Sequence, residues 1–419
     1  MFSCDILIVG GGPSGSFAGI SIIKYLRSCH VVIIDKRKVS GFPPHCSGLI
    51  AISGLTNLNI DKSVKRQANI NRVTSAKFIS PSGISLTINR KKNELVVLDR
   101  PKLDFLLAKK AQKLGSKYYF QHKAINITHL LQNEGYLVSG HTKQKEFFQI
   151  KAKVVISAEG HHPILPKQIG LPAPANNWSF PALQYEIENV TDIDVSTVEL
   201  YFGQKIAPGF FAWLIPVNDT RVRIGLAVHP LIGSNVRKRL EHLLFKHPVL
   251  APKVKQGKIL NSWGGFVPVN GPIQKTYAEG FLVIGDAAGQ SKATTGGGFN
   301  IGSFCGYLAG KTAAKAIFNN NNSSSLMKEY QKDWKAYFEP DLTFMKLIRR
   351  TISFLPDPVM DRLFNIAKET DLEKTMFNAS NIDLHGKDIL KHSLKSNTIR
   401  KSLTISPCLF KSFLNGILD

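Results

Sequence analysis

Asp5-Ile6-Leu7-Ile8-Val9 is a short β-branched run with no polar alternation. Such a run predicts a strand buried on both faces, as in a parallel sheet. Gly10 to Gly15 predict a turn, and apolar residues at helical spacing from Ser16 to Leu26 predict a helix. Val31-Val32-Ile33-Ile34-Asp35 predict a second buried strand, closing a βαβ unit. Val73 to Ile88 predict a hairpin that turns at Pro81-Ser82-Gly83. Pro101 to Leu114 predict an amphipathic helix, and Val154 to Ala158 another buried strand. From Leu183 to Val228 the period changes to two. The segments Thr197–Phe202, Phe211–Pro216 and Arg221–Val228 predict an antiparallel sheet.

Phe281-Leu282-Val283-Ile284 return to the parallel pattern, followed by a Gly-rich turn and a helix from Ile301 to Phe318. Asn319 to Ser325 read as a polar linker, and the rest as basic helix. A chain that leaves a nucleotide-type domain, builds an antiparallel sheet and returns predicts two interleaved domains. The expected boundaries are 1–180 for the first part of the nucleotide-binding domain, with an inserted hairpin at 73–90, and 181–275 for the antiparallel sheet. The nucleotide-binding domain returns at 276–320, and a C-terminal helical cap spans 326–419.

Gly10, Gly12 and Gly15 form GxGxxG between a predicted strand and a predicted helix. The first glycine permits the tight turn, the second lets backbone approach a pyrophosphate, and the third packs helix on strand. The helix N-terminus then offers free N–H groups and a favourable dipole to the phosphates. Asp35 stands twenty residues after Gly15, placed to accept hydrogen bonds from ribose hydroxyls. This fingerprint fits NAD and FAD alike.

The second Gly-rich motif points to FAD. Gly285-Asp286-Ala287-Ala288-Gly289 follow a strand, with Asp286 placed for the hydroxyls of a ribityl chain. Thr294-Thr295-Gly296-Gly297-Gly298-Phe299 open the next helix, whose dipole suits the electron-rich edge of a reduced flavin.

Together, the run GGGPSGS from Gly10 to Ser16, Asp35, GDAAGQ from Gly285 to Gln290 and TTGGG from Thr294 to Gly298 resemble the hydroxybenzoate-hydroxylase-like FAD superfamily. Within it the chain is most similar to the geranylgeranyl reductase family, which includes archaeal digeranylgeranylglycerophospholipid reductases. The resemblance runs from Asp5 to about Phe318. It includes Pro43-Pro44-His45-Cys46-Ser47-Gly48, Asp99-Arg100 with Asp104, and the stretch Pro208-Gly209-Phe210-Phe211-Ala212-Trp213-Leu214-Ile215-Pro216. Three departures stand out: Ala293 for a proline, Phe211 for a tyrosine, and His161-His162-Pro163 after Ala158-Glu159-Gly160.

The resemblance implies an α/β (mixed α+β) fold with a Rossmann-like FAD-binding domain and an antiparallel-sheet substrate domain. It implies a reductase that saturates isolated C=C bonds of prenyl chains on archaeal-type phospholipids, by protonation plus hydride transfer from reduced flavin. Cys46 would be catalytic. Ser14, Lys36, Cys46, Ser47, Gly48, Arg100, Ala124, Gly285, Gly297, Gly298 and Phe299 would join Gly10, Gly12, Gly15, Asp35 and Asp286 around FAD. Phe210, Phe211 and Trp213 fit either a sheet core or a pocket wall, and the resemblance favours the pocket. No metal is expected. The implied partners are a prenylated lipid or prenyl diphosphate, an anionic membrane surface, and an electron donor such as ferredoxin or NAD(P)H.

The chain has 419 residues and a net charge of +24, which asks for an anionic partner. Its basic clusters, Lys36-Arg37-Lys38, Arg90-Lys91-Lys92 and Arg349-Arg350, are short and lack regular aromatic interleaving. No nucleic acid partner is therefore expected, although a flavin-containing RNA-binding or tRNA-modifying protein stays open as a reading. Phe211-Ala212-Trp213-Leu214-Ile215-Pro216 also lies one residue from the WxWxIP of flavin halogenases, so a halogenase or monooxygenase of the same fold stays open too. The five cysteines contain no CxxC pair, which predicts a reducing, cytoplasmic compartment. The apolar N-terminus is broken by Gly-Gly-Gly-Pro and is not read as a signal peptide. With no long apolar run, any membrane contact is expected to be peripheral, on the inner face of the cell membrane.

Overall fold

Ile6, Leu7 and Ile8 are wholly buried in β1 (Phe2–Val9), and Val31 to Ile34 are wholly buried in β2 (Val31–Asp35). Between them α1 (Pro13–Tyr25) starts on Pro13, whose missing N–H costs nothing in a first turn. The computed structural model describes residues 2–44, 46–89, 95–130, 134–233, 235–370 and 373–374. His45, the Arg90-Lys91-Lys92 cluster, Cys408 and the part of the expected cap beyond Lys374 lie outside the described residues.

The chain continues through β3 (Leu49–Ala51), α2 (Ile52–Asn57), α3 (Lys62–Ala68), β4 (Asn69–Val73), β5 (Ser75–Ile79), β6 (Ser85–Asn89) and β7 (Leu95–Leu98). It then forms α4 (Arg100–Leu114), β8 (Lys117–Phe120), β9 (His122–His129), β10 (Tyr136–Thr142), β11 (Phe147–Ser157) and α5 (Leu165–Gln168). Next come β12 (Ser179–Glu188), β13 (Thr197–Tyr201), β14 (Ala212–Pro216), β15 (Val222–Ala227), α6 (Val236–Lys246), α7 (Leu250–Val254) and β16 (Lys258–Pro268). The last elements are β17 (Tyr277–Ala278), β18 (Phe281–Val283), α8 (Phe299–Phe318), α9 (Ser324–Ile352) and α10 (Asp357–Glu369).

The fold is mixed α/β. One sheet has the path β17-β18-β11-β1-β2-β8, with β10 and β9 attached through β11. Its β18-β11-β1-β2-β8 stretch is parallel, the arrangement that buries both faces of each strand. The second sheet runs β16-β12-β15-β14-β13-β5-β6, and a small third sheet is β3-β7-β4. The second sheet departs from the expected antiparallel pattern at one pairing, since β13 and β5 are parallel. The expected hairpin at 73–90 supplies β5 and β6, so it is inserted in the first segment by sequence but hydrogen-bonds into the second sheet.

The expected linker at Asn319–Ser325 is shorter than read, because α9 already begins at Ser324. Nor is α9 only a cap. Met327, Tyr330 and Trp334 are wholly buried in the core that includes Ile6, Ile8 and Ile33. Tyr330 Oη donates to Val283 O at 3.0 Å, and Trp334 Nε1 donates to Thr276 Oγ1 at 3.0 Å. The helix therefore pins the strand that leads into the second Gly-rich turn.

Candidate active site

The first Gly-rich turn is shaped by two close crossings. Gly10 has φ +114°, and a Cβ there would sit 2.0 Å from Ala158 O at the end of β11. A Cβ on Gly15 would sit 1.9 Å from Gly10 O, so α1 packs directly on the turn. Gly12 is open: a Cβ there would meet only Arg37 Nη2, at 3.6 Å. That leaves the N-terminus of α1 facing free space.

Asp35 holds this turn from below. Its carboxylate is buried and accepts from Gly11 N at 2.8 Å, Arg37 N at 2.8 Å, Arg37 Nε at 3.0 Å and Arg37 Nη2 at 2.7 Å. A carboxylate has about four acceptor positions, and these donors take them. Asp35 thus orients Arg37 over the turn, rather than standing alone as an acceptor. Burial works against the Arg37 charge, but its hydrogen bonds and charge pairing with Asp35 outweigh burial and hold the guanidinium above its ordinary value. In the chain Arg37 reads as part of a basic surface cluster. Its spacing of two from the strand-end carboxylate was the available signal.

The second turn abuts the first. A Cβ on Gly285 would lie 2.6 Å from Ser14 Oγ, at the start of α1. Gly285 N donates to Gln290 Oε1 at 2.8 Å, and Gln290 Nε2 donates to Tyr330 Oη at 2.8 Å. Burial pushes the Asp286 carboxyl above the ordinary carboxylate range, and the nearby Arg100 charge pulls it back only in part.

Arg100 stands at the start of α4, capped by Asp99, whose side chain accepts from Lys102 N at 3.0 Å. Its Nη2 donates to Asp104 Oδ1 at 3.1 Å, and its guanidinium lies 4.7 Å from the Phe299 ring centroid. Burial opposes the Arg100 charge, but Asp104 and the Cys46 sulfur hold it above its ordinary value. Cys46 Sγ accepts from Gly48 N at 3.4 Å. From the second sheet, Arg223 Nη1 donates to Ser47 O at 2.7 Å, while Arg223 Nε donates to buried Glu186 at 3.0 Å. The loop that carries Cys46 is therefore anchored from the second sheet.

Phe210 and Phe211 stack with centroids 4.1 Å apart, and Trp213 meets Phe211 at 6.3 Å. Trp213 Nε1 donates to Gln184 Oε1 at 2.8 Å, which sets the indole's orientation. Arg349 of α9 is buried behind this wall, with no carboxylate partner among the described residues. It donates to Ala293 O at 3.0 Å and to Gly209 O at 3.0 Å, with its guanidinium 4.4 Å from the Phe210 centroid. Burial pushes its pKa down to about 9. One side chain thus ties the TTGGG loop to the aromatic motif, a link with no sequence signal beyond the Arg349-Arg350 pair.

These parts line a single cavity of about 1390 Å³. It runs from Gly10, Gly12 and Gly15, past Cys46, Arg100 and Asp286, to Phe210, Phe211 and Trp213, and ends among Phe78, Leu86 and Phe364. Ser14, Asp35, Lys36, Ser47, Ala124, Gly297, Gly298 and Phe299 line it as well. Gly48 and Gly285 do not. Gly48 serves a backbone crossing, since a Cβ there would lie 2.3 Å from Leu98 O, and Gly285 makes room for the Ser14 side chain. His161 and His162, where the chain departs from the superfamily pattern, also line the cavity, with rings 5.1 and 5.3 Å from Phe266. The open pyrophosphate-type turn, the adjoining Gly-Asp turn and the long cavity that leads away from both fit an extended dinucleotide such as FAD.

Comparison with known proteins agrees. The FAD binding domain family matches residues 3–339. Digeranylgeranylglycerophospholipid reductase of Methanocaldococcus jannaschii is 30% identical over 413 residues, covering 98% of this chain and 97% of its own. The protein of the same name from Methanococcus aeolicus is 29% identical over 387 residues, covering 90% of this chain and 94% of its own. A geranylgeranyl bacteriochlorophyll reductase-like protein from Thermoplasma acidophilum superposes with a TM-score of 0.84 at 25% identity, covering 97% of this chain and 100% of that one. A flavin-dependent brominase superposes with a TM-score of 0.68 at 16% identity, covering 97% and 99%, a likeness of fold alone. With a cradle shaped for FAD and reductase relatives along nearly its whole length, the chain belongs to the geranylgeranyl reductase family of FAD-dependent oxidoreductases.

Proposed function

We propose that this protein saturates isolated C=C bonds in the geranylgeranyl chains of an archaeal-type membrane phospholipid. The observation that carries the reading is the continuity of one cavity from the dinucleotide turns to an aromatic and aliphatic far end. The relatives named above as digeranylgeranylglycerophospholipid reductases support the substrate class. In this reading residues 1–180 and 276–320 form the FAD-binding domain, 181–275 the substrate domain and 326–419 the C-terminal region. Gly12 and Ser14 take the pyrophosphate, Arg37 held by Asp35 faces the ribose side, and Asp286 takes the ribityl hydroxyls. Reducing equivalents come from a ferredoxin or from transient NAD(P)H.

When bound and reduced, FAD supplies the hydride. An isolated alkene has no neighbouring carbonyl to hold negative charge, so positive charge must develop at its tertiary carbon. Phe210, Phe211 and Trp213 offer π faces to that charge in a cavity whose lining is mainly apolar. The same lining keeps out the water that would capture a cation. Cys46 Sγ faces the cavity with Arg100 behind it, and we place the proton of the addition there. Arg223 and Gly48 fix the sulfur's position through Ser47 and the loop backbone.

The test is anaerobic. The flavoprotein is reduced chemically and mixed with a geranylgeranylated lipid. The product should gain about two mass units for each bond saturated. A lipid recovered at unchanged mass while the flavin remains active toward other acceptors contradicts the assignment.

A further inference from the structure

The stretch from Leu231 to Val249 has a surface that the chemistry above does not use. Leu231 and Ile232 are consecutive on a turn and are 64% and 40% exposed. Phe245 and Val249, at the far end of α6, are 65% and 45% exposed. Scattered single apolar residues on a surface are ordinary, but pairs bracketing one helix form a patch. Between them α6 buries Leu240, Leu243 and Leu244 and turns Arg237, Lys238, His242, Phe245 and Lys246 outward. Lys238 and Phe245 share the centre of that outward face. Glu241 is the one carboxylate among residues 231–249, against four Lys and Arg.

The flank of α6 is tied to the start of α10 through the turn at 203–206, while the helix packs on the face of the second sheet opposite Trp213 and the cavity. Arg239 Nη1 donates to Lys205 O at 3.1 Å. Gln204 N donates to Asp357 Oδ1 at 2.7 Å, and Gln204 Nε2 donates to Leu355 O at 2.9 Å. Leu231 N donates to His229 Nδ1 at 3.2 Å, and that ring lies 5.2 Å from Phe354. The turn at 231, the start of α6, the turn at 203–206 and the start of α10 thus form one ridge. Leu363, Phe364 and Ala367 of α10 close the apolar end of the cavity, with Phe364 5.8 Å from Phe202. Asp361 fastens α10 to the β5–β6 turn through Ser82 Oγ at 2.8 Å and Ser82 N at 3.0 Å.

We infer that this ridge is the face the protein lays on an anionic lipid bilayer, with Leu231, Ile232 and Phe245 entering the acyl boundary and Arg237, Lys238 and Lys246 meeting the headgroups. The inference deepens the reading of a membrane-lipid substrate and rests on it. A basic helix with apolar residues at the centre and ends of its outward face suits a bilayer interface, where both kinds of group are satisfied together. A nucleic acid would use the cations and leave the Leu-Ile pair in water. Among the described residues no helix is long and apolar enough to cross a membrane, so attachment of this kind needs a surface.

The experiment uses FAD-loaded full-length protein and sedimenting vesicles of phosphatidylcholine with phosphatidylglycerol. Two double variants are compared, Leu231→Asp with Ile232→Asp, and Arg237→Glu with Lys238→Glu. Wild type should sediment with the vesicles at low salt and less at high salt. Each variant should bind at least about tenfold more weakly and reduce vesicle-embedded lipid correspondingly more slowly. Each should retain FAD and turn over detergent-dispersed prenyl lipid at the wild-type rate, which shows that the fold is intact. Wild-type vesicle binding by both variants overturns the surface. So does detergent-format activity in a wild type that ignores vesicles, which leaves the reductase reading standing. Vesicle binding lost in the variants, with no reduction in either format, supports the surface and overturns the reductase reading. Binding of RNA or DNA that depends on Arg237 and Lys238, with none to vesicles, assigns the face to nucleic acid and overturns the proposal.

Discussion

Arg223 Nη1 donates to the carbonyl oxygen of Ser47 at 2.7 Å, across the joint between the second sheet and the loop that bears Cys46. Glu186 holds the same guanidinium at 3.0 Å, and both side chains are buried. A lysine cannot serve Glu186 and the Ser47 carbonyl in one planar fork. Arg223→Lys should therefore lower kcat at least about tenfold, as expected when a reacting group is misplaced, while FAD content stays near wild type. Parallel loss of FAD and turnover would show that Arg223 only supports the fold.

Cys46→Ser should keep the flavin bound, because it leaves both Gly-rich turns untouched. Serine is smaller at the tip and is a far weaker acid than a thiol. Turnover should fall, with flavin absorbance and melting temperature close to wild type. A variant that reduces prenyl lipid at the wild-type rate removes Cys46 from the reaction.

Trp213 is part of the cavity wall and is oriented by Gln184. Trp213→Ala should slow alkene reduction far more than it weakens FAD binding. Trp213→Phe, which keeps a π face and most of the volume, should recover part of the rate. If both losses are equal in the alanine variant, the indole contributes packing and not charge stabilisation.

Asp286 links pH to stability. Burial raises its carboxyl above the ordinary value of 3.8 in the folded protein. Between the unfolded and the folded value, the folded state holds a proton that the unfolded chain has released. The stability from this group is full below the unfolded value and is lost as pH rises through the folded one. Asp286→Asn should make the FAD-free protein more stable than wild type at neutral pH, with the gap closing toward pH ~4. Chemical denaturation at several pH values measures it. The same variant should bind FAD more weakly, so stability and cofactor affinity move in opposite directions.

Much of this site was legible because it is local. β1, the GxGxxG turn and Asp35 lie within one βαβ unit, and strands buried on both faces announce themselves as unbroken apolar runs. The basic clusters were harder to read. Arg37 and Arg349 look like surface charge in the chain, yet Arg37 is folded onto Asp35, and Arg349 is buried on carbonyls 56 and 140 positions away. A backbone carbonyl leaves no mark in sequence. The hairpin at 73–90 is legible in the chain but its sheet is not, because its parallel partner β13 begins at Thr197. The start of α9 is hard to read for a related reason. Ser324 and Ser325 read as loop residues, and they are helical because Tyr330 and Trp334 dock in the core.

The most direct measurement follows the flavin itself. Protein reduced without oxygen is mixed with a digeranylgeranyl phospholipid dispersed in detergent, and the oxidised-flavin absorbance is recorded. The account predicts that the absorbance returns as double bonds disappear, one flavin oxidised for each bond saturated, and without oxygen. Flavin that stays reduced beside the lipid, but reoxidises with oxygen to halogenate or hydroxylate an aromatic compound, would contradict it.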